Sequence, residues 1–307
     1  MNVLLLGATG FLGRHIAHAL HAQGHEVLIP TLPHGERFNL AQMCTPAAWH
    51  SQLQSGVGPD LVPDAVINAV GVLRERAGQP MHAVHALAPI ALFTACAELG
   101  IRRVIQISAL GIDGIATPYA QTKREADAAL LALVEQGRLD AVVLRPSIVL
   151  GEGGASTALF NTLARWPLLV WPRRARQCQV QPLSVQDVAW GCTRLLVDQA
   201  EVTGVLAAVG EERASVPDWV ALIRALHGHQ PATVCTLPDA WAALSARGGD
   251  AIPVTPWGRN TWALLAQDNT AEAEAWRRVL GRPASPALAF FMAQAAMQRP
   301  NAQAAEV

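Results

Sequence analysis

An apolar run at residues 3–6, Val3-Leu4-Leu5-Leu6, passes without a break into Gly7-Ala8-Thr9-Gly10-Phe11-Leu12-Gly13. A continuous apolar tetrad suits a strand covered on both faces in a parallel sheet; a half-exposed strand would alternate. The glycines permit a tight turn, residues 14–23 then read as a helix ended by Gly24, and residues 26–31 read as a second strand. Strand, glycine-rich turn, helix and strand in this order let a backbone approach a pyrophosphate and seat it on the positive end of the helix. The competing reading is a tight strand-to-helix turn with no ligand.

The alternation continues down the chain. Residues 65–68, 103–108, 141–145 and 204–209 read as further strands, and residues 81–99, 119–136 and 185–197 as helices. This predicts an α/β fold, a doubly wound parallel (Rossmann) sheet whose ligand lies beyond the carboxyl ends of the strands. Those ends carry residues 7–13, Asn68-Ala69-Val70-Gly71, Ser108-Ala109-Leu110-Gly111 and Pro146-Ser147-Ile148. The expected division is a dinucleotide-binding core over 1–150, completed by 181–210, with a smaller substrate lobe from 151–180 and 211–307. Trp166, Trp171, Trp219, Trp241, Trp257, Trp262 and Trp276 fall in that lobe and are expected to pack its core. Arg173-Arg174-Ala175-Arg176 reads as an exposed hairpin tip, with an anionic substrate or a partner as the alternative.

Composition narrows the class. Of 307 residues, 51% are hydrophobic and 15% charged, and the formal net charge is −1. That is enough apolar material for a sizeable core, and the near-zero charge makes no electrostatic case for nucleic acid or an anionic membrane. Cys44, Cys96, Cys178, Cys192 and Cys235 are scattered, as expected of reduced thiols in a cytoplasmic protein. The N-terminal run lacks a basic segment and a cleavage site, and the apolar stretch at 287–297 is well short of the roughly twenty residues that span a bilayer, so neither a signal peptide nor a membrane span is expected. His15, His18, His21 and His25 share a helix, as do His82 and His85, but no cysteine or carboxylate joins them at ligand spacing, so no metal site is expected. The expected partner is a small-molecule substrate, and a homo-oligomer is compatible with the sequence.

Tyr119 is the only tyrosine and Lys123 the only lysine. A lone lysine would land four places after a lone tyrosine about once in 300 chains of this length. On a helix capped by Thr117 with Pro118 in its first turn, the two side chains lie one above the other. An ammonium so placed is expected to lower the phenol's pKa and make proton exchange feasible near neutral pH. An ordinary amphipathic helix is the bland alternative.

Together these motifs, with residues 145–151 and 181–189, resemble the short-chain dehydrogenase/reductase superfamily over residues 1–210, in its extended and atypical branches. NAD-dependent epimerase/dehydratase-like proteins are among the relatives, and the sub-branch around the NAD(P)H-binding accessory subunit of respiratory complex I is the most similar. The resemblance implies NAD(P)(H) as cofactor. Gly7, Thr9, Gly10, Phe11, Leu12 and Gly13 would hold its pyrophosphate, Ala69, Val70 and Gly71 would line the adenosine half, and Pro146, Ser147 and Ile148 would meet the nicotinamide. Ile107, in the strand that ends in Ser108, would also bind the cofactor, and His85 stands where many relatives place a cofactor-facing asparagine. Tyr119 would be the acid/base, Lys123 would bind the ribose hydroxyls, and Ser108 would be the third catalytic group. The implied activity is hydride transfer by an oxidoreductase or epimerase-like enzyme; the alternative is a structural or redox-sensing protein that holds NAD(P)H without turnover.

The sequence departs from the pattern in two places. The substrate-orienting serine usually lies two residues beyond Ser108, where this chain has Leu110. After the second strand, Thr31 and Leu32 replace the carboxylate that holds a ribose 2′-hydroxyl, and Arg14, His34 or Arg37 could meet a 2′-phosphate, which tilts the reading towards NADP(H). The connection there is expected to lack the second helix and to shorten the third strand, leaving Asn39 and Leu40 near the adenine.

Overall fold

The computed structural model describes residues 1–30, 38–55, 62–72, 75, 78–197, 201–251, 257–265 and 267–298. In chain order the elements are β1 (Asn2–Leu6), α1 (Phe11–Ala22), β2 (Glu26–Leu28), α2 (Pro46–Ser55), β3 (Ala65–Asn68), α3 (Ala88–Leu99), β4 (Arg103–Ile107), α4 (Pro118–Glu135) and β5 (Asp140–Pro146). They continue with β6 (Val149–Leu150), α5 (Ala155–Arg165), β7 (Leu168–Pro172), α6 (Arg173–Gln177), β8 (Gln179–Val180), β9 (Leu183–Ser184), α7 (Val185–Leu196) and β10 (Gly204–Ala208). The last are β11 (Ala214–Ser215), α8 (Val216–Leu226), β12 (Thr233–Leu237), α9 (Asp239–Asp250), α10 (Arg259–Leu264), α11 (Glu274–Leu280) and α12 (Ala289–Gln298). Two compact units result, one from residues 1–146, 188–208 and 274–281, the other from 147–187, 209–273 and 282 onward.

The first unit is an α/β layer structure on a six-stranded sheet of order β10-β5-β4-β3-β1-β2, parallel at every pairing. Leu4 pairs with Leu28 on one side and Val66 on the other. Val3 and Leu5 are as fully buried as Leu4, so both faces of β1 are covered, which is why the run is apolar throughout. Leu4, Leu6, Val66 and Val143 share a core with Trp49, Leu53, Phe93 and Leu130. Trp49 anchors α2 to α3 by donating its indole N–H to the Ala88 carbonyl at 3.0 Å. In α11, Trp276 is fully buried against α7, where a Cβ at Gly191 would lie 2.1 Å from its Cη2. Strand order reverses between β1 and β3, the place where such sheets bind ligands.

The crossover from β2 to β3 corrects the expectation of a missing second helix. Residues 29–64 leave room for α2, which starts with the Thr45 hydroxyl accepting the Ala48 amide at 3.4 Å and Pro46 in its first turn. Between β2 and β3 the described residues carry no strand, and residues 31–37 and 56–61 of this crossover lie outside them.

The second unit carries three two-stranded ladders, β6 with β9 and β7 with β12 in parallel and β8 with β11 antiparallel. Its core gathers Phe160, Leu169, Trp171, Trp219, Ile223 and Phe291. Asp187 is fully buried and accepts from Arg282 Nη2 at 2.6 Å and from the Ser285 amide at 2.6 Å. The arginine cluster is not a hairpin tip. It forms the short helix α6, with Ala175 turned into the core. The tryptophans divide as well: Trp171 and Trp219 are core, Trp276 belongs to the first unit, and Trp166 and Trp241 are exposed.

Candidate active site

The glycine turn has the geometry its sequence predicts. Gly7 adopts φ +82°, open to glycine at little cost, and a Cβ there would meet the carbonyl group of Ala69 at 3.1 Å. The turns after β1 and β3 therefore abut, joined also by the Ala69 amide donating to the Leu6 carbonyl at 3.0 Å. The Gly10 amide closes the turn onto the Gly7 carbonyl at 2.8 Å, and a Cβ on Gly13 would lie 1.9 Å from that same oxygen, so no side chain fits. Gly10 starts α1 without a side-chain cap, Thr9 and Gly10 are exposed, and Phe11 and Leu12 are half-buried. A backbone-lined turn with uncapped helix amides can hold a pyrophosphate. Arg14 is exposed one position beyond Gly13. Asn68, fully buried, shapes the second turn: its amide donates to Gln106 Oε1 at 2.8 Å and its Oδ1 accepts the Val70 amide at 3.1 Å.

Helix α4 brings the unique pair to these turns. Thr117 Oγ1 caps it by accepting the Ala120 amide at 3.4 Å, and Thr122, Lys123, Ala126, Asp127 and Leu130 form its buried face. Lys123 Nζ donates to the carbonyls of Ile107 at 3.0 Å and Val70 at 3.4 Å, and a Cβ on Gly71 would lie 3.5 Å from it. Burial pushes the Lys123 ammonium down to about 8, against the pull of Asp127 one turn on. The Tyr119 ring meets His85 edge to face, with centroids 5.5 Å apart and planes at 81°. His85 Nε2 accepts the Val72 amide at 2.8 Å, which places the ring proton on Nδ1, where it is donated to Thr122 Oγ1 at 3.2 Å. Burial, with the Lys123 charge nearby, holds His85 down at about 3, so the imidazole stays neutral.

The expected lowering of the tyrosine pKa is not found. Burial, then the Asp127 charge, pushes the Tyr119 phenol up to about 12. The lysine does not reverse this, because its nitrogen is turned to two backbone carbonyls and its charge is matched by Asp127.

Ser108 is committed elsewhere, donating its hydroxyl to Asp127 Oδ2 at 2.8 Å. Arg145 donates to that same oxygen from Nε at 3.1 Å and Nη2 at 2.9 Å, and reaches Asp113 from Nη1 at 2.8 Å. Burial raises the Asp127 pKa, opposed by Ser108 and Arg145. Sequence reasoning missed Asp127 and Thr122. The signal for Asp127 was present, since Tyr119, Lys123 and Asp127 follow one another at four-residue steps on one helix.

Other expected site residues are dispersed. Thr31, Leu32, His34 and Arg37 lie outside the described residues. Asn39 caps a 3-10 turn by accepting the Ala41 amide at 3.1 Å and donates to the Gly78 carbonyl at 3.3 Å, while Leu40 is buried in the core with Leu28 and Trp49. Pro146 ends β5, and its carbonyl accepts the Leu110 amide at 2.9 Å. Ser147 and Ile148 belong to the second unit, where Ser147 Oγ donates to Asn269 Oδ1 at 2.5 Å and the Ile148 carbonyl accepts the Leu183 amide at 3.0 Å. The residues brought together are Gly7, Val70, Gly71, His85, Ile107, Tyr119 and Lys123.

Known proteins share this fold. The chain is 26% identical over 266 residues to the ceramide reductase of Caulobacter vibrioides, covering 79% of each. The UDP-glucose 4-epimerase of Thermus thermophilus in complex with NAD superposes with a TM-score of 0.60 at 20% identity, over 78% of this chain and 86% of that one. RMD from Pseudomonas aeruginosa complexed with NADPH superposes with a TM-score of 0.64 at 16% identity, over 97% and 98%. A model of the NAD dependent epimerase/dehydratase family matches residues 3–203, from the first strand through the glycine turn and Tyr119 to the edge of β10, and the chain belongs to that family.

Proposed function

We propose that this protein is an NAD(P)(H)-dependent oxidoreductase or epimerase-like enzyme in which Tyr119 exchanges a proton with an oxygen on the substrate carbon that gains or loses hydride. The observation that carries this is the seat of Lys123: its amine binds the Val70 carbonyl, and the Val70 side chain lies 3.2 Å from where a Cβ on Gly7 would stand. The chain's only lysine and the glycine turn are thus one residue apart in space. Gly7, Thr9, Gly10, Phe11, Leu12 and Gly13 would hold the pyrophosphate, Ala69, Val70 and Gly71 would line the adenosine half, and Lys123 would meet the nicotinamide ribose. When bound, the cofactor supplies and takes up hydride. A phenol near 12 keeps its proton at neutral pH, which suits it to donate in the reducing direction. NADP(H) is slightly preferred, because the sequence has Thr31 and Leu32 in place of the carboxylate that holds a 2′-hydroxyl, and Arg14, directly after Gly13, is exposed.

A second reading, retention of NAD(P)H without turnover, is favoured by Leu110 at the usual serine place and by the Ser108 proton being spent on Asp127. Tyr119→Phe separates the two. Turnover should fall by about 10²- to 10⁴-fold while NADPH affinity stays nearly intact. The panel should hold carbonyl compounds, sugar nucleotides as for the Thermus epimerase, and a ceramide-type lipid as for the Caulobacter reductase. Wild-type binding of NADPH with no turnover across that panel would establish the second reading instead.

A further inference from the structure

We propose that the outer side of β7 in the second unit docks on a bilayer surface rich in anionic lipid, a role independent of the Tyr119 chemistry. Strand β7 alternates strictly: Leu169 and Trp171 enter the core, while Leu168 and Val170 are 51% and 54% exposed. Trp166, the C-cap of α5 just before a bend at Pro167 that leads into β7, is 54% exposed as well. Three large apolar side chains are thus exposed within five residues, two of them in line on β7 about 7 Å apart at a strand rise of about 3.3 Å per residue. By register, Thr233 and Cys235 of the neighbouring strand β12 flank Leu168 and Val170, and both are exposed.

The segment that carries this row holds charges of one sign, although Asp239 and Asp268 from later elements approach its far end at Arg174 and Gln179. From residue 153 to residue 186 the chain has four arginines and no carboxylate, although the whole sequence is balanced to −1. Arg165 precedes the row, and Arg173 and Arg176 follow it on α6, all three exposed. Arg174 is neutralised by Asp239 at 3.1 Å, and Arg176 reaches Thr236 Oγ1 at 2.9 Å, which holds the basic helix against β12. The near-zero net charge therefore hides a local cationic rim. An apolar row with a tryptophan at one end and arginines at both ends matches a membrane interface, where aromatic rings sit at headgroup level and guanidinium groups meet phosphates. Attachment would be peripheral, as no helix among the described residues is long and apolar enough to cross a bilayer. A second copy docked by two-fold symmetry would set this rim against itself and bring like charges together. Nucleic acid would leave the aliphatic row without a partner.

The test is flotation of the full-length chain with vesicles of phosphatidylglycerol and phosphatidylcholine in equal parts, against phosphatidylcholine alone. Binding should require phosphatidylglycerol and weaken as salt is raised. Arg165→Gln with Arg173→Gln, two surface changes that leave the core untouched, should lower affinity about thirty-fold, from about 1 kcal/mol per charge. Leu168→Ser with Val170→Ser should abolish flotation without changing NADPH binding. Absence of flotation by the wild type, or flotation unchanged in both double variants, would overturn the proposal. A wild-type dimer that ignores vesicles and becomes monomeric in Leu168→Ser/Val170→Ser would overturn it too, and would assign the face to a second copy.

Discussion

Lowering the pH should destabilise the first unit through one identifiable side chain, His85. In the folded chain its pKa is lowered from 6.5 to about 3 by burial and by the Lys123 charge, so the ring stays neutral while the same residue in the unfolded chain takes up a proton. The sign follows: stability from this group is complete above 6.5 and is lost progressively as pH falls towards 3. Between about pH 7.5 and pH 5 the unfolded state gains some 1.5 pH units of proton binding below 6.5, which amounts to about 2 kcal/mol. His85→Asn removes the titration and keeps a polar group beside Val72 and Thr122. Urea unfolding of both proteins at the two pH values, followed by tryptophan fluorescence, isolates the difference in slopes, and other histidines cancel in that difference. The wild type should lose about 2 kcal/mol more than the variant. Equal losses would mean that His85 is protonated or solvated in the fold, and the tautomer assigned from the Val72 and Thr122 bonds would be wrong.

Other outcomes follow from the same geometry. Asp127→Asn should cost roughly 3–5 kcal/mol in urea unfolding, since it leaves Arg145 and Lys123 without their buried counter-charge; a loss below about 1 kcal/mol would show the cluster to be solvated. Gly191→Ala should destabilise by about 1–3 kcal/mol and perturb near-ultraviolet tryptophan dichroism, because the added methyl would start 2.1 Å from Trp276 Cη2; an unchanged spectrum would refute the packing. If turnover is found, oxidation should quicken as pH rises through the alkaline range, because a phenol pushed up to about 12 must first lose its proton. An oxidation rate flat with pH would take Tyr119 out of that role.

Much of the fold was legible because period and punctuation agreed. The run at residues 3–6, Gly24, and the Thr117-Pro118 cap each state an element boundary locally, and β3 was read residue for residue as Ala65–Asn68. The β2–β3 crossover was misjudged because it was measured only to Leu40, whereas α2 begins at Pro46, beyond a 3-10 turn with no strong periodic signal. At the site, spacing identified which residues share a helix face but not where their polar atoms point. The turn of Lys123 towards the Ile107 and Val70 carbonyls, and of Ser108 towards Asp127, depends on β4 lying beside α4, a long-range arrangement that no local pattern encodes. The rim of arginines around β7 was visible as composition, but its meaning depends on which side of a strand faces out.

The return of residues 274–281 to the first unit has a consequence for synthesis. Trp276 fills the space over Gly191, so the Rossmann layer cannot be finished when its last strand leaves the ribosome. Some sixty intervening residues must emerge before that hole is plugged, and until then an apolar gap beside α7 is a natural target for chaperones.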